Sequence, residues 1–184
     1  METSAATPHV SVLYHEILKA LKPRSGGKYV DGTLGAGGHT IGILRVSSPY
    51  GEVLGLDVDQ NAISIAKERL SIFADRIHLR HGSYTQMGSF AKELGWSKVD
   101  GIVLDLGASS MQFDTKERGF SFMDTGPLDM RFNAAEELTA ADLVNSWPEA
   151  DLADVIYRFG EEKKSRRIAK LICERRPLTT TKEL

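Results

Sequence analysis

Nine residues, Asp31-Gly32-Thr33-Leu34-Gly35-Ala36-Gly37-Gly38-His39, join the apolar pair Tyr29-Val30 to a helix-like stretch from Thr40 to Val46. A strand, a glycine loop and a helix in that order make a cradle for a nucleotide-like ligand. Glycines let the backbone approach closely, and amide N–H groups at the helix start point at whatever is bound. Twenty residues beyond Gly37 a second apolar run, Val53-Leu54-Gly55-Leu56, ends in Asp57. A carboxylate at the tip of the second strand is placed to accept from ribose hydroxyls. Together these features point to an adenosine-type cofactor.

The glycine spacing narrows the choice. A dinucleotide fingerprint read from Gly35 needs glycine at position 40, where this chain has Thr40. The pattern is instead D-x-T-x-G-x-G-G. Asp31 at the loop entrance repels a pyrophosphate and suits a cationic or zwitterionic ligand such as S-adenosylmethionine. The spacing therefore favours a methyl donor over NAD, with a glycine-rich turn that binds nothing as the plain alternative. A third carboxylate, Asp105, follows the apolar run Ile102-Val103-Leu104, at the sheet edge where open α/β folds bind ligands. The lone pair of an exocyclic amine such as that of cytosine is conjugated with its ring. The nitrogen becomes nucleophilic when acceptors hold its N–H groups, and Asp105 with the Leu106 or Gly107 carbonyl can supply them. The structural alternative for Asp105 is a turn-forming aspartate after a strand.

The elements that must position these groups alternate along the chain. An amphipathic helix is expected over 9–22, with Val12, Leu13, Ile17, Leu18 and Leu21 at helical intervals. Strands follow at 28–31, 52–57, 76–80 and 99–106, with helices at 38–46, 60–73 and 85–94 between them. Ile63, Ala66 and Leu70 should face inward from the second of these helices. Strands separated by helices imply a parallel sheet with right-handed crossovers, a doubly wound Rossmann-like α/β domain. The pattern changes after residue 107. Residues 107–135 lack a period and are long for a plain connection, as functional loops are. Helices are expected at 139–146, 149–158 and 161–175, forming an all-helical insertion. In the last of them Ile168, Leu171 and Ile172 should be buried, with Lys163, Arg166, Arg167 and Lys170 outward. The predicted division is a cofactor-binding core at 1–107, a substrate loop at 108–138 and a helical part at 139–184.

Composition excludes several classes. The 184 residues suffice for one domain with a real core. Hydrophobic content of 41% and charged content of 26% fit a globular protein, and no apolar run approaches a membrane span. Met1 to Pro8 has neither a basic nor an apolar region, so a targeting peptide is not expected and the cytoplasm is the default location. Cys173 is the single cysteine, and His9, His15, His39, His78 and His81 show no ligand spacing, so no metal is expected. Net charge is −2, yet the segment from Arg158 to Arg176 holds eight basic residues against three acidic ones. That run is either a solvated face or a surface for phosphates. Phe113, Phe120, Phe122 and Trp147 could stack on an unpaired base, with core packing expected for at least two of them.

Longer motifs carry a resemblance. The run from Asp100 through Leu104-Asp105-Leu106-Gly107-Ala108-Ser109-Ser110-Met111-Gln112-Phe113-Asp114, then Glu117-Arg118-Gly119-Phe120-Ser121-Phe122 and Gly126-Pro127-Leu128-Asp129-Met130-Arg131, resembles the small-subunit (16S) ribosomal RNA cytosine-N4 methyltransferases. The likeness runs from His9-Val10-Ser11 through the glycine loop, His81-Gly82-Ser83-Tyr84 and Tyr157-Arg158-Phe159-Gly160 to Leu178-Thr179-Thr180-Thr181-Lys182-Glu183-Leu184. It implies S-adenosylmethionine as cofactor, a decoding-centre cytosine as target and the small ribosomal subunit as partner. It also implies that Gly37, Gly38 and His39 contact the donor's methionine part, Asp57 its ribose and Tyr84 its adenine, with Asp105 and Gln112 completing the site. Asp105 is the expected catalytic group. A methyltransferase for another nucleic-acid acceptor and a non-catalytic RNA- or ribosome-binding module are the alternatives. In this family a helical domain interrupts the methyltransferase sheet, and only four strands are legible here, so an N-terminal fragment is expected.

Overall fold

The structure is a computed structural model that describes residues 11–184. It divides into two units, residues 1–106 and 107–184. His9 and Val10, part of the expected first helix and of the resemblance, lie outside the described residues.

The first unit is a parallel sheet in the order β3-β2-β1-β4. Its strands are β1 (Lys28–Asp31), β2 (Glu52–Asp57), β3 (Ile77–His81) and β4 (Gly101–Val103). The helices are α1 (Tyr14–Leu21), α2 (Gly38–Val46), α3 (Gln60–Arg69) and α4 (Met87–Glu93), with 3-10 turns at Ser71–Arg76 and Tyr84–Gln86. The doubly wound arrangement follows from strand alternation. On β1 and β2, Tyr29 and Val53 pack with Ile43 and Leu44 of α2, Ile63 and Ala66 of α3, and Leu70 just beyond it. Val30, Leu54 and Leu56 point the other way, onto Ala91 of α4 and onto Trp96. Successive residues of a strand face opposite sides, so a strand covered on both reads as an unbroken apolar run. Leu70 is fully buried although α3 ends before it, because the chain turns there into the 3-10 segment.

The expectations for the first helix and the fourth strand need correction. Val12 and Leu13 are exposed and precede α1; only Ile17, Leu18 and Leu21 pack against the core. The fourth strand is three residues long rather than eight. β4 pairs with β1 alone, through Tyr29↔Gly101, Val30↔Ile102 and Asp31↔Val103. β1 leaves the sheet after Asp31, and the Gly32 N–H closes the ladder on the Val103 carbonyl. Leu104, Asp105 and Leu106 have no strand left to pair with on that side.

The second unit contains α5 (Ser110–Asp114), a 3-10 turn (Lys116–Arg118), α6 (Ala140–Ser146), α7 (Glu149–Gly160) and α8 (Ser165–Glu174). Leu128, Val144, Leu152, Ala153, Ala169, Ile172 and Leu178 form its core. The stretch between α5 and α6 is ordered by side chains. Arg118 donates to the Arg131 and Phe132 carbonyls, and Arg131 clamps both oxygens of Asp129. α8 begins at Ser165 rather than 161, since Glu161 terminates α7 in a left-handed conformation and the Glu162 carboxylate accepts from the Lys164 N–H. Its buried stripe is Ser165, Ala169 and Ile172, with Ile168 half-buried. Leu171, expected inside, is 40% exposed. Among the four aromatics, Phe120 packs against Phe113 and Phe132, and Trp147 packs against the core, while Phe122 is exposed. Thr179 and Thr180 donate to the Glu183 carboxylate, a capping arrangement in the terminal turn.

Candidate active site

Sheet order places the glycine loop. The chain runs from β1 outward through β2 to β3, then returns to add β4 on the other flank of β1. The carboxyl ends of β1 and β4 flank the point where the order reverses, the usual ligand position in open α/β sheets.

The loop is held at three points, two on β2 and one on α3. The Leu34 N–H donates to the Leu56 carbonyl of β2, and the Gly35 N–H donates to Asp57 Oδ2 at 2.8 Å. Arg69 of α3 donates to the Ala36 carbonyl at 2.8 Å. Gly35 and Gly37 adopt left-handed angles, φ 51° and 80°, that other residues rarely reach. Gly32 is required for space: a side chain there would meet Leu104 and the Cβ of Tyr84. Gly37 is the N-cap of α2 and offers no side chain to it. The amides of Gly38, His39 and Thr40, at the first turn, lack intrahelical acceptors and carry the positive end of the helix dipole.

Asp31 is not the ligand-facing charge that its place in the sequence suggests. It is 1% exposed, accepts from the Thr40 hydroxyl at 2.7 Å and from the Thr33 N–H at 3.3 Å. This also explains Thr40, the residue that breaks the dinucleotide pattern. Burial pushes the Asp31 carboxyl above the usual carboxylate range, opposed by the Thr40 hydroxyl. A carboxyl raised in the folded state favours folding as the protonated form. Its contribution is full below the unfolded-chain value of about 3.9 and is lost as pH rises through the raised folded value. Asp31→Asn keeps an acceptor for Thr33 and a partner for Thr40 without titrating. In urea unfolding across this range, the variant should gain on the wild type as pH rises. A difference independent of pH would contradict the assignment.

Asp57 ends β2 with both oxygens engaged, Oδ2 with the Gly35 N–H and Oδ1 with the Asp59 N–H at 2.9 Å. Its carboxyl is raised too, chiefly by burial. Each oxygen retains a lone pair, enough to accept from a vicinal diol. Tyr84 is 39% exposed and begins the 3-10 turn that Ser83 and Gln86 cap reciprocally. Asp105 stands two residues past β4 with its side chain 48% exposed. Its backbone N–H donates to the Thr33 hydroxyl at 2.7 Å, so a loop threonine sets where β4 delivers its carboxylate. Thr33 was visible in the D-x-T spacing, but nothing local revealed its partner 72 residues away. His39 is 5% exposed, and its Nε2 lies 3.5 Å from Asp105 Oδ2.

The first unit thus gathers Gly37, Gly38, His39, Asp57, Tyr84 and Asp105 at or just beyond the carboxyl ends of its strands. Gln112 belongs to the second unit, where it is buried and completes a capping box at the start of α5. Its Oε1 accepts from the Ser109 N–H at 2.9 Å, and its own N–H donates to the Ser109 hydroxyl at 3.3 Å. Among the described residues no cluster of His, Cys, Asp or Glu could hold a metal, and no helix is long and apolar enough to cross a membrane.

The arrangement suits a zwitterionic adenosine ligand. Uncapped amides at α2 can take a carboxylate, Asp57 can take hydroxyls, and Asp105 is an open acceptor nearby. A "Ribosomal RNA small subunit methyltransferase H" of Geobacter sp. (strain M21) is 48% identical over 179 residues, which cover 96% of this chain and 57% of that protein. The protein of the same name from Syntrophobacter fumaroxidans is 48% identical over 187 residues, covering 100% and 59%. That from Dehalococcoides mccartyi (strain BAV1) is 46% identical over 177 residues, covering 96% and 51%. The chain spans between half and three fifths of the length of these relatives. The profile described as "MraW methylase family" matches residues 6–184, and the chain belongs to that family.

Proposed function

We propose that this chain is the donor-binding part of an S-adenosylmethionine-dependent enzyme that methylates N4 of a decoding-centre cytosine in 16S ribosomal RNA. The observation that carries the reading is the open Asp105 carboxylate, carried on a backbone that the Thr33 hydroxyl holds beside the uncapped glycine loop. Bound S-adenosylmethionine would supply an electrophilic methyl group on a sulfonium. The backbone amides of Gly38 and His39 at the α2 start, with Gly37 giving close approach, would hold its carboxylate. Asp57 would accept from its ribose, Tyr84 would stack on its adenine, and Gln112 would complete the site. Residues 1–107 then form the donor core, 108–138 the substrate loop and 139–184 the helical part.

Asp105 accepts an N–H of the cytosine amine and draws its lone pair out of conjugation. With the methyl group supplied by the donor, whose sulfur would leave as the neutral thioether, the proton released from N4 would pass to the Asp105 carboxylate and on to water. Most of the acceleration comes from alignment in a preorganised site. The exposed cations of α8, Arg166, Arg167 and Lys170, are suited to phosphates, which supports a small ribosomal subunit as partner; it is that partner, not the charge, that points to the cytoplasm as compartment.

The test is incubation of the full-length protein with small ribosomal subunits and methyl-labelled donor, followed by nucleoside analysis. Labelled N4-methylcytidine is the expected product. A different methylated nucleoside would overturn the acceptor assignment. Donor binding without transfer to any subunit or RNA would leave a binding module instead of an enzyme.

A further inference from the structure

His39 is the described residue whose side chain is hardest to explain by packing alone. It is 95% buried by its 5% exposure, yet neither ring nitrogen has a hydrogen-bond partner. Burying polar nitrogens without partners costs free energy, so a buried imidazole left unmatched needs a reason. The ring lies near-parallel to that of Tyr14, at 6.4 Å between centroids, which settles its plane but satisfies neither nitrogen. Asp31, the nearby buried carboxylate, already serves Thr33 and Thr40. A carboxylate just out of reach is Asp105, whose Oδ2 stands 3.5 Å from Nε2. A hydrogen bond needs about 3.2 Å or less, so a movement of a few tenths of an ångström closes it. Such bonds at reacting groups are often long before substrate binds and tighten in the complex.

We propose that His39 is a positioning residue that acts through Asp105. Its Nε2–H engages Oδ2 when the site fills and fixes the carboxylate plane, leaving Oδ1 to accept from the amine being methylated. The role concerns the side chain and is separate from the backbone amide of His39 at the α2 start. It rests on the proposed amine-methylating reaction.

The experiment compares the full-length wild type with His39→Ala, His39→Gln, Asp105→Asn and the His39→Ala/Asp105→Asn double variant. S-adenosylmethionine Kd is measured by calorimetry and kcat by methyl transfer to small subunits. Misplacing a reacting group by an ångström costs up to about 100-fold, so His39→Ala should lower kcat roughly 10-fold to 100-fold with donor Kd within about twofold of wild type. Gln, which keeps an N–H near the Nε2 position, should restore most of the rate. The double variant should be no slower than Asp105→Asn alone, since the two act as one unit. A donor Kd that rises as much as kcat falls would make His39 a donor contact and overturn the proposal. So would a folded Gln variant as slow as Ala, or additive losses in the double variant. Should His39→Ala fail to fold, the Gln variant and its combination with Asp105→Asn decide in the same way. Transfer by the wild type to another acceptor would sink the cytosine reading alone, with His39 then judged on that acceptor. Absence of any transfer by the wild type would overturn both.

Discussion

Asp105→Asn is expected to lower methyl-transfer kcat by about 10²-fold to 10⁴-fold, the range for losing a positioned proton acceptor. The amide oxygen can still accept a hydrogen bond but is a far poorer base, and its N–H₂ presents donors where the amine presents its own. Stability should hardly change. The side chain is half exposed, and the contact that places this residue, Asp105 N–H to the Thr33 hydroxyl, is made by the backbone and survives the substitution. Surface changes of this kind usually fall within about 0.5 kcal/mol. Single-turnover rates with saturating donor, beside thermal unfolding of the same preparation, check both halves. A folded variant with nearly wild-type kcat would remove Asp105 from the chemistry.

Asp57→Ala should weaken S-adenosylmethionine binding by about 1.5–3 kcal/mol, roughly 10-fold to 150-fold in Kd, as expected for a charge-assisted contact to the ribose. The structure adds a second source for the loss. The same carboxylate ties the glycine loop to the tip of β2 through the Gly35 N–H and opens α3 through the Asp59 N–H. Asp57→Asn is expected to do little better, because both oxygens accept from amides and an amide side chain can accept with only one of its termini. Calorimetry with S-adenosylmethionine and with methionine alone separates the two causes. A ribose contact alone would spare the methionine fragment, whereas a loosened loop would weaken both ligands. Unchanged affinity for the whole donor would place the ribose elsewhere.

Local signals governed how far the sequence could be read. β1, α2 and β2 fall at their expected limits, since each is bounded by a glycine, a turn or an aspartate and carries its own periodicity. α3 ends four residues earlier than its apolar spacing suggests, because Leu70 reaches the core equally well from the following turn. The long stretch after Gly107 looked aperiodic because its order comes from Arg118, Asp129 and Arg131 bonding across it, contacts that leave no period.

The sequence by itself determined that a parallel α/β sheet carries a glycine loop, an aspartate at the second strand tip and another after the fourth strand. Those features depend on residue order and spacing within single elements. Tertiary structure decided the use of each charge. Asp31 faces inward because β1 sits at the centre of the sheet, covered on both faces, with Thr40 returning over it on α2. Asp105 is left open at the sheet edge because β1 turns away after Asp31 and β4, an edge strand, loses its partner after Val103. His39 meets Asp105 across 66 residues because the reversal of strand order sets β4 beside β1. Burial and approach between distant segments are properties of the packed sheet, which residue spacing along the chain does not encode.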